Sequence, residues 1–298
     1  MDSRLAYIYI ISGASLWGII GIFATYLYQF GFTPIQVVAI RTTTAALALF
    51  LYLLATNPAL LRIKAADSKY FVGTGIISIV FFNWCMFSTI QETSVSIAAI
   101  LLYTAPAFVT ILSRIIFKEK LTARKLAALA ITFAGCTLVV GIFPDPNGSI
   151  SFYGLLLGIG SGLFYGLYSI FGKFALQKYH SMTVIVYTFL FAAVAIVPFS
   201  GLWHAGISFA NSQIWFHISG LGLMSTVFAF ALYTRGLQAM ESSKASILAT
   251  VEPVTATILS FIVFKELLSI WQYIGIIMVV TAVILVQRPA RSRRHQLT

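Results

Sequence analysis

"TILSRIIFKEKLTARK" (Thr110–Lys125) recurs 147 residues later as "TILSFIVFKELLSIWQ" (Thr257–Gln272). Four positive charges are lost between the copies: Arg114, Lys120, Arg124 and Lys125 give way to Phe261, Leu267, Trp271 and Gln272. The likeness extends outward at the same offset of 147, pairing Pro106 with Pro253, Gln91 with Gln238, and "SIAAIL" (Ser96–Leu101) with "SKASIL" (Ser243–Leu248). Trp17-Gly18 aligns with Tyr165-Gly166 at an offset of 148, so one residue is inserted between. The chain is therefore an internal duplication, and the lost charges have to be explained by where each copy sits.

Composition supplies the setting. The 298 residues are 59% hydrophobic and 9% charged, with a mean hydropathy of +0.94, far from the balance of a soluble domain. Segments 5–30, 70–91, 93–113, 126–144, 146–172 and 267–287 contain no Asp, Glu, Lys or Arg, and about 20 apolar residues span a hydrocarbon core of roughly 30 Å. The pattern predicts an all-α polytopic membrane protein with ten transmembrane helices at about 5–29, 33–55, 70–90, 94–116, 122–142, 152–176, 182–202, 213–236, 242–264 and 270–287. The first segment is too long for a signal peptide and lacks a small-residue cleavage pattern, so it is expected to be retained.

Charge then orients the helices. Of the 19 Lys and Arg, 16 fall before the first helix, in or beside alternate loops, or in the tail, all on one side of the predicted topology; Lys265 alone falls on the other, and Arg41 and Arg114 lie within helices. Such a bias places both termini in the cytoplasm, and it accounts for the net charge of +11 without a nucleic-acid partner. Five helices separate the two copies of the phrase, so they face opposite ways: the first keeps its cations at the cytoplasmic face and the second has shed them outside. Two inverted five-helix repeats, residues 1–145 and 146–290, with a basic tail at 291–298, are the organisation expected of a secondary transporter whose site lies between the halves at the bilayer midplane.

Ten helices in two inverted halves, "LWG" in the first, Arg41 in the second, and Ala/Ser-rich fourth and ninth helices running through a proline to "FKE" resemble the EamA-type branch of the drug/metabolite transporter superfamily. The resemblance implies a basket of helices around a central cavity, with the fifth and tenth packed behind. It also implies export of small metabolites, amino acids first among them, across a bacterial cytoplasmic (inner) membrane, with drug-like, nucleoside or sugar-phosphate cargoes as alternatives. The second half has Thr188 or Phe189 where the first has Arg41, so a site built on Arg41 is asymmetric.

Charge inside the membrane marks candidates. A cation near mid-helix costs about 2.5–3.5 kcal/mol on insertion scales, so Arg41 is expected to face the cavity, either clasping a substrate carboxylate or pairing with helix-end carbonyls or an acid. Glu252, beside Pro253, is open to a role in proton coupling or amine binding, or to a structural one as counter-charge for Arg41 or as a group that satisfies the helix break. Pro106 and Pro253 are expected to break their helices. Trp17, Asn83, Tyr103, Tyr165 and Tyr233 are polar-tipped side chains on helices that surround the cavity in the resembled fold, which suits a pocket for amphipathic metabolites. Gly154, Gly158, Gly162 and Gly166, four residues apart, are expected to let the sixth helix pack closely against a neighbour, and the GxGxG within the same stretch (Gly158, Gly160, Gly162) has no strand before it to make a nucleotide loop.

Other classes find no footing. The four His (His180, His204, His217, His295) lie in predicted loops or near helix ends, no Asp is expected inside the membrane, and HExxH and Walker patterns are absent, so neither an enzyme nor a primary pump is expected. Cys85 and Cys136 have no paired spacing and read as buried apolar packing, and no metal or cofactor is expected. Nothing resembles the selectivity filter of a passive channel. The expected partners are a small-molecule substrate and membrane lipid, with Trp203 and Trp271 as interface anchors.

Overall fold

The computed structural model describes residues 3–140, 151–204, 211–265 and 267–287. Ten helices long and apolar enough to cross a membrane run in chain order: α1 (Arg4–Gln29), α2 (Pro34–Thr56), α3 (Ala65–Glu92), α4 (Val95–Ile116), α5 (Ala123–Val140), α6 (Phe152–Leu176), α7 (Ser181–Phe199), α8 (Ser212–Gln238), α9 (Ser242–Phe264) and α10 (Ile270–Gln287). All ten expected helices are present. The expected repeat boundary at 145/146 and the basic tail 291–298 lie outside the described residues.

Local chemistry sets the helix ends. Thr33 and Gln36 form a capping box at the start of α2, with Pro34 in the first turn, where its missing N–H is no loss. Ser94 accepts from the Ile97 N–H (3.2 Å) to start α4, and Ser151 accepts from the Gly154 N–H (2.9 Å) to start α6. Lys118 and Lys265, equivalent residues of the two "FKE" phrases, both adopt left-handed backbone, with φ of 56° and 59°. The same residue of the repeated phrase thus takes the same backbone conformation in both copies.

Lipid tails are as apolar as leucine, so close backbone approach and van der Waals contact join these helices. The repeats interlock. α1 packs against α8 and α9 of the second repeat, while α6 packs against α3 and α4 of the first. α2 lies along α7, and α5 and α10 pack against each other with Gly135 and Gly275 face to face, as the resemblance implies. Leu47, Leu51, Val194 and Leu267 belong to the exposed apolar surface suited to lipid.

Two features escape the periodicity of the sequence. α1 breaks at Ile19, dividing it into Ser3–Gly18 and Ile20–Gln29. α3 and α8 widen into π-helical stretches at Val72–Val80 and Gly220–Phe228, one repeat apart. Each begins beside a glycine seated under an aromatic ring: a Cβ at Gly73 would lie 2.5 Å from Phe171, and one at Gly220 would lie 2.3 Å from Phe23.

Candidate functional site

The site is built around two broken helices. α4 divides into α4a (Val95–Leu102) and α4b (Ala105–Ile116), and α9 into α9a (Ser242–Leu248) and α9b (Val251–Phe264). Pro106 and Pro253 sit in the first turns of the second halves, where they cannot donate to the carbonyls of Leu102 and Ala249. Thr104 and Thr250 hydroxyls satisfy neighbouring carbonyls of the interrupted turns, donating to Leu101 O and Ile247 O at 2.6 Å each. Glu252 is left in the first turn of α9b, where the half-helix dipole favours a negative charge.

Around these breaks lies one cavity, walled by both repeats. Arg41, Trp17, Tyr103, Tyr165, Tyr233 and Glu252 meet there, brought together from α2, α1, α4, α6, α8 and α9. The Tyr165 hydroxyl donates to Glu252 Oε2 at 2.8 Å. Tyr233 and Ser169 share a 2.7 Å hydrogen bond, and the Trp17 ring rests on Tyr233 and Phe230 with centroids 4.8 and 4.9 Å away. About 60 Å³ remains for the centres of water-sized molecules, so the cavity is a narrow slot in this conformation.

Polar satisfaction is incomplete. Trp17 Nε1 and Arg41 Nε are buried without a hydrogen-bond partner, although both residues line the slot. Among the described residues no ion pair within 4.0 Å joins Arg41 to Glu252, so the two opposite charges share a cavity without neutralising each other in contact. Buried donors left open in this way are costly unless something else fills them.

Asn83 stands elsewhere. Its Nδ2 donates to Ile79 O (2.7 Å), and it lines a separate groove with Trp84, Phe87 and Phe199. The physical reason is the π-helical stretch just before it, which slips the helical register and turns Ser78, Ile79 and Phe82 toward the cavity instead. Ser169, Ser246 and Thr250 also line the slot. Ser246 had a legible signal: it replaces Ala99 of the first repeat, adding a hydroxyl to a broken helix.

The glycine stripe packs. A Cβ at Gly158 would lie 2.2 Å from the Leu101 side chain, one at Gly162 2.8 Å from Leu101 O, and one at Gly166 3.3 Å from Ala105 O. Gly154 meets Thr93 and Glu92, so the whole face of α6 is fitted to the end of α3 and to α4.

A model of the EamA-like transporter family matches the chain twice, over residues 4–141 and 152–288. The chain belongs to the EamA-like transporter family. Among its relatives is an Archaeoglobus fulgidus protein described as an uncharacterized transporter, 29% identical over 81% of this chain and 85% of that one. Another is the uncharacterized inner membrane transporter YicL of Salmonella typhimurium, 22% identical over 98% of each chain. A solved crystal structure, 16% identical, superposes with a TM-score of 0.79 over 95% of this chain and 96% of the other, which shows the shared fold. As an EamA-like protein the chain is a ten-helix membrane transporter of two five-helix repeats, and its two matched segments bracket the slot from both sides.

Proposed function

We propose that this transporter is a secondary carrier that exports amino acids or closely similar metabolites across the bacterial cytoplasmic membrane by alternating access, with both termini in the cytoplasm and the slot as its binding site. One observation carries the substrate class: two unpartnered buried donors, Trp17 Nε1 and Arg41 Nε, share a cavity with a carboxylate, Glu252, that is not ion-paired with Arg41. A zwitterion presents the complementary pair, its carboxylate to the donors and its amine to Glu252. Tyr103, Tyr165 and Tyr233 line the remaining wall, and Glu252 doubles as the group that carries a coupled proton. The direction of transport rests on the family resemblance, the orientation on the distribution of Lys and Arg.

Counterflow in proteoliposomes tests the reading. Purified protein is loaded with unlabelled amino acids and presented with one labelled member outside. Accumulation of label that Arg41→Lys weakens at least tenfold, in a protein that still folds, is the expected result. Unchanged half-saturation in Arg41→Lys removes Arg41 from the site. Accumulation of nucleosides, sugar phosphates or drug-like amines in place of amino acids replaces the substrate class.

A further inference from the structure

The two repeats are equivalent in sequence, yet their broken helices are buried unequally. Val95 and Ser242 hold the same repeat position, the first residue of α4a and of α9a; Val95 is 65% exposed and Ser242 is 0% exposed. What covers Ser242 comes from the other repeat. Glu119, in the turn between α4 and α5, accepts from the Ser242 N–H (2.7 Å), the Ser243 N–H (3.2 Å) and the Ser243 hydroxyl. Lys125, 4% exposed, donates to Ser243 Oγ (2.8 Å) and lies 3.6 Å from Glu119 and 3.2 Å from Glu241. A carboxylate of the first repeat therefore caps the helix start of the second, inside a buried ionic cluster on the face that carries the Lys and Arg.

At the opposite face the described counterparts of two members of the cluster have other partners. The counterpart of Lys125 is Gln272, whose amide donates to Val139 O (3.3 Å) in α5. Ser94, counterpart of Glu241, is exposed and caps its own helix at Ile97. Among the described residues, the start of α4a is thus capped within its own repeat, and its first residue is open where that of α9a is covered.

We propose that Glu119 is a latch that shuts the carrier at its basic face, and that it must let go of Ser242 and Ser243 for the slot to open there. The inference rests on the alternating-access reading. If the two faces exchange roles, the helix start that is buried now becomes the exposed one, and α9a takes the environment that α4a has in this conformation. The movement reaches the site directly, because α9a carries Ser246 on the slot wall and ends at the break that positions Glu252. An ionic clasp suits the task, since its partners have water to replace them once the face opens, whereas an apolar seal does not.

Thiol labelling tests the latch without knowledge of the substrate. With Cys85 and Cys136 replaced by alanine, Ser246→Cys places one reporter on the slot wall, and a charged, membrane-impermeant methanethiosulfonate is applied to right-side-out and to inverted vesicles. Glu119→Gln is expected to raise labelling from the basic face at least fivefold and to lower labelling from the opposite face, a reciprocal change that only a shifted balance between two states gives. Labelling that rises from both faces marks a loosened structure and overturns the proposal, as does labelling unchanged from either face. Ser243→Ala, which removes one partner and keeps both N–H groups, is expected to move both rates in the same directions by less, and it decides the matter if Glu119→Gln does not fold. A chain that transports no amino acid still gives this reciprocal signal if the latch is real.

Discussion

Gly18 backs directly onto Glu252: a Cβ at position 18 would lie 2.7 Å from the Glu252 carbonyl oxygen and 2.8 Å from the Thr255 side chain. The equivalent pair in the other half is Gly166 and Ala105, at 3.3 Å. The first helix of each repeat is thus fitted to the break in the partner repeat, and more tightly where the break carries the acid.

Gly18→Ala is therefore expected to displace the backbone that holds Glu252. Overpacking of this kind costs about 1–3 kcal/mol, to be seen as a lowered melting temperature in detergent together with loss of transport. Gly21→Ala, one turn away where a Cβ meets nothing within 4 Å, is expected to leave both unchanged.

Tyr165→Phe removes the only described hydrogen bond to the Glu252 carboxylate while keeping the ring that packs against Phe82 at 5.3 Å. The expected outcome is a correctly folded carrier whose half-saturation concentration in counterflow rises about tenfold, corresponding to ~1.4 kcal/mol. An unchanged value would place Tyr165 outside the binding function.

Glu252→Gln separates substrate contact from coupling. Uptake driven by a pH gradient is expected to disappear, while exchange at equal pH continues at a weakened affinity. Gradient-driven transport that survives the substitution would take Glu252 out of the coupling role.

At the basic face, Lys178 pairs with Asp67 at 2.7 Å, and the Tyr179 hydroxyl donates to the same carboxylate at 2.8 Å, tying the first turn of α3 to the α6–α7 turn. The hydrogen bond to Asp67 holds the Lys178 ammonium above the usual lysine range. A raised lysine stabilises the fold fully below its unfolded value, and the contribution is lost as pH rises through the folded value. Wild type is thus expected to melt above Asp67→Asn at neutral pH, with the gap closing as the medium becomes strongly alkaline. Lys178 is half exposed, so added salt should narrow the gap as well.

Much of this architecture was legible because the membrane restricts it. Uncharged runs gave ten helices, the doubled phrase with its lost cations gave the inversion, and Pro106 and Pro253 marked two breaks. Arg41 and Glu252 stood out because charge inside hydrocarbon is rare. The misplaced residue, Asn83, shows where such reading stops: the π-helical stretch of α3 begins where Phe171 sits on Gly73, a contact across the repeats with no local signature. The clasp of Glu119 on Ser242 and Ser243 escaped for the same reason. Those partners are 123 and 124 residues apart, and the phrase that contains Glu119 reads equally well as a plain turn.

The interlocked repeats also set an order of assembly. α1 is synthesised first, yet α8 and α9, the helices that cover it, are among the last. Until they arrive, Trp17 and the backbone at Gly13 and Gly18 face lipid or whatever the insertion machinery supplies. A nascent chain stalled within the second repeat would be a membrane-inserted but unfinished protein, and its first helix would be the segment most exposed to a quality-control protease or a membrane chaperone.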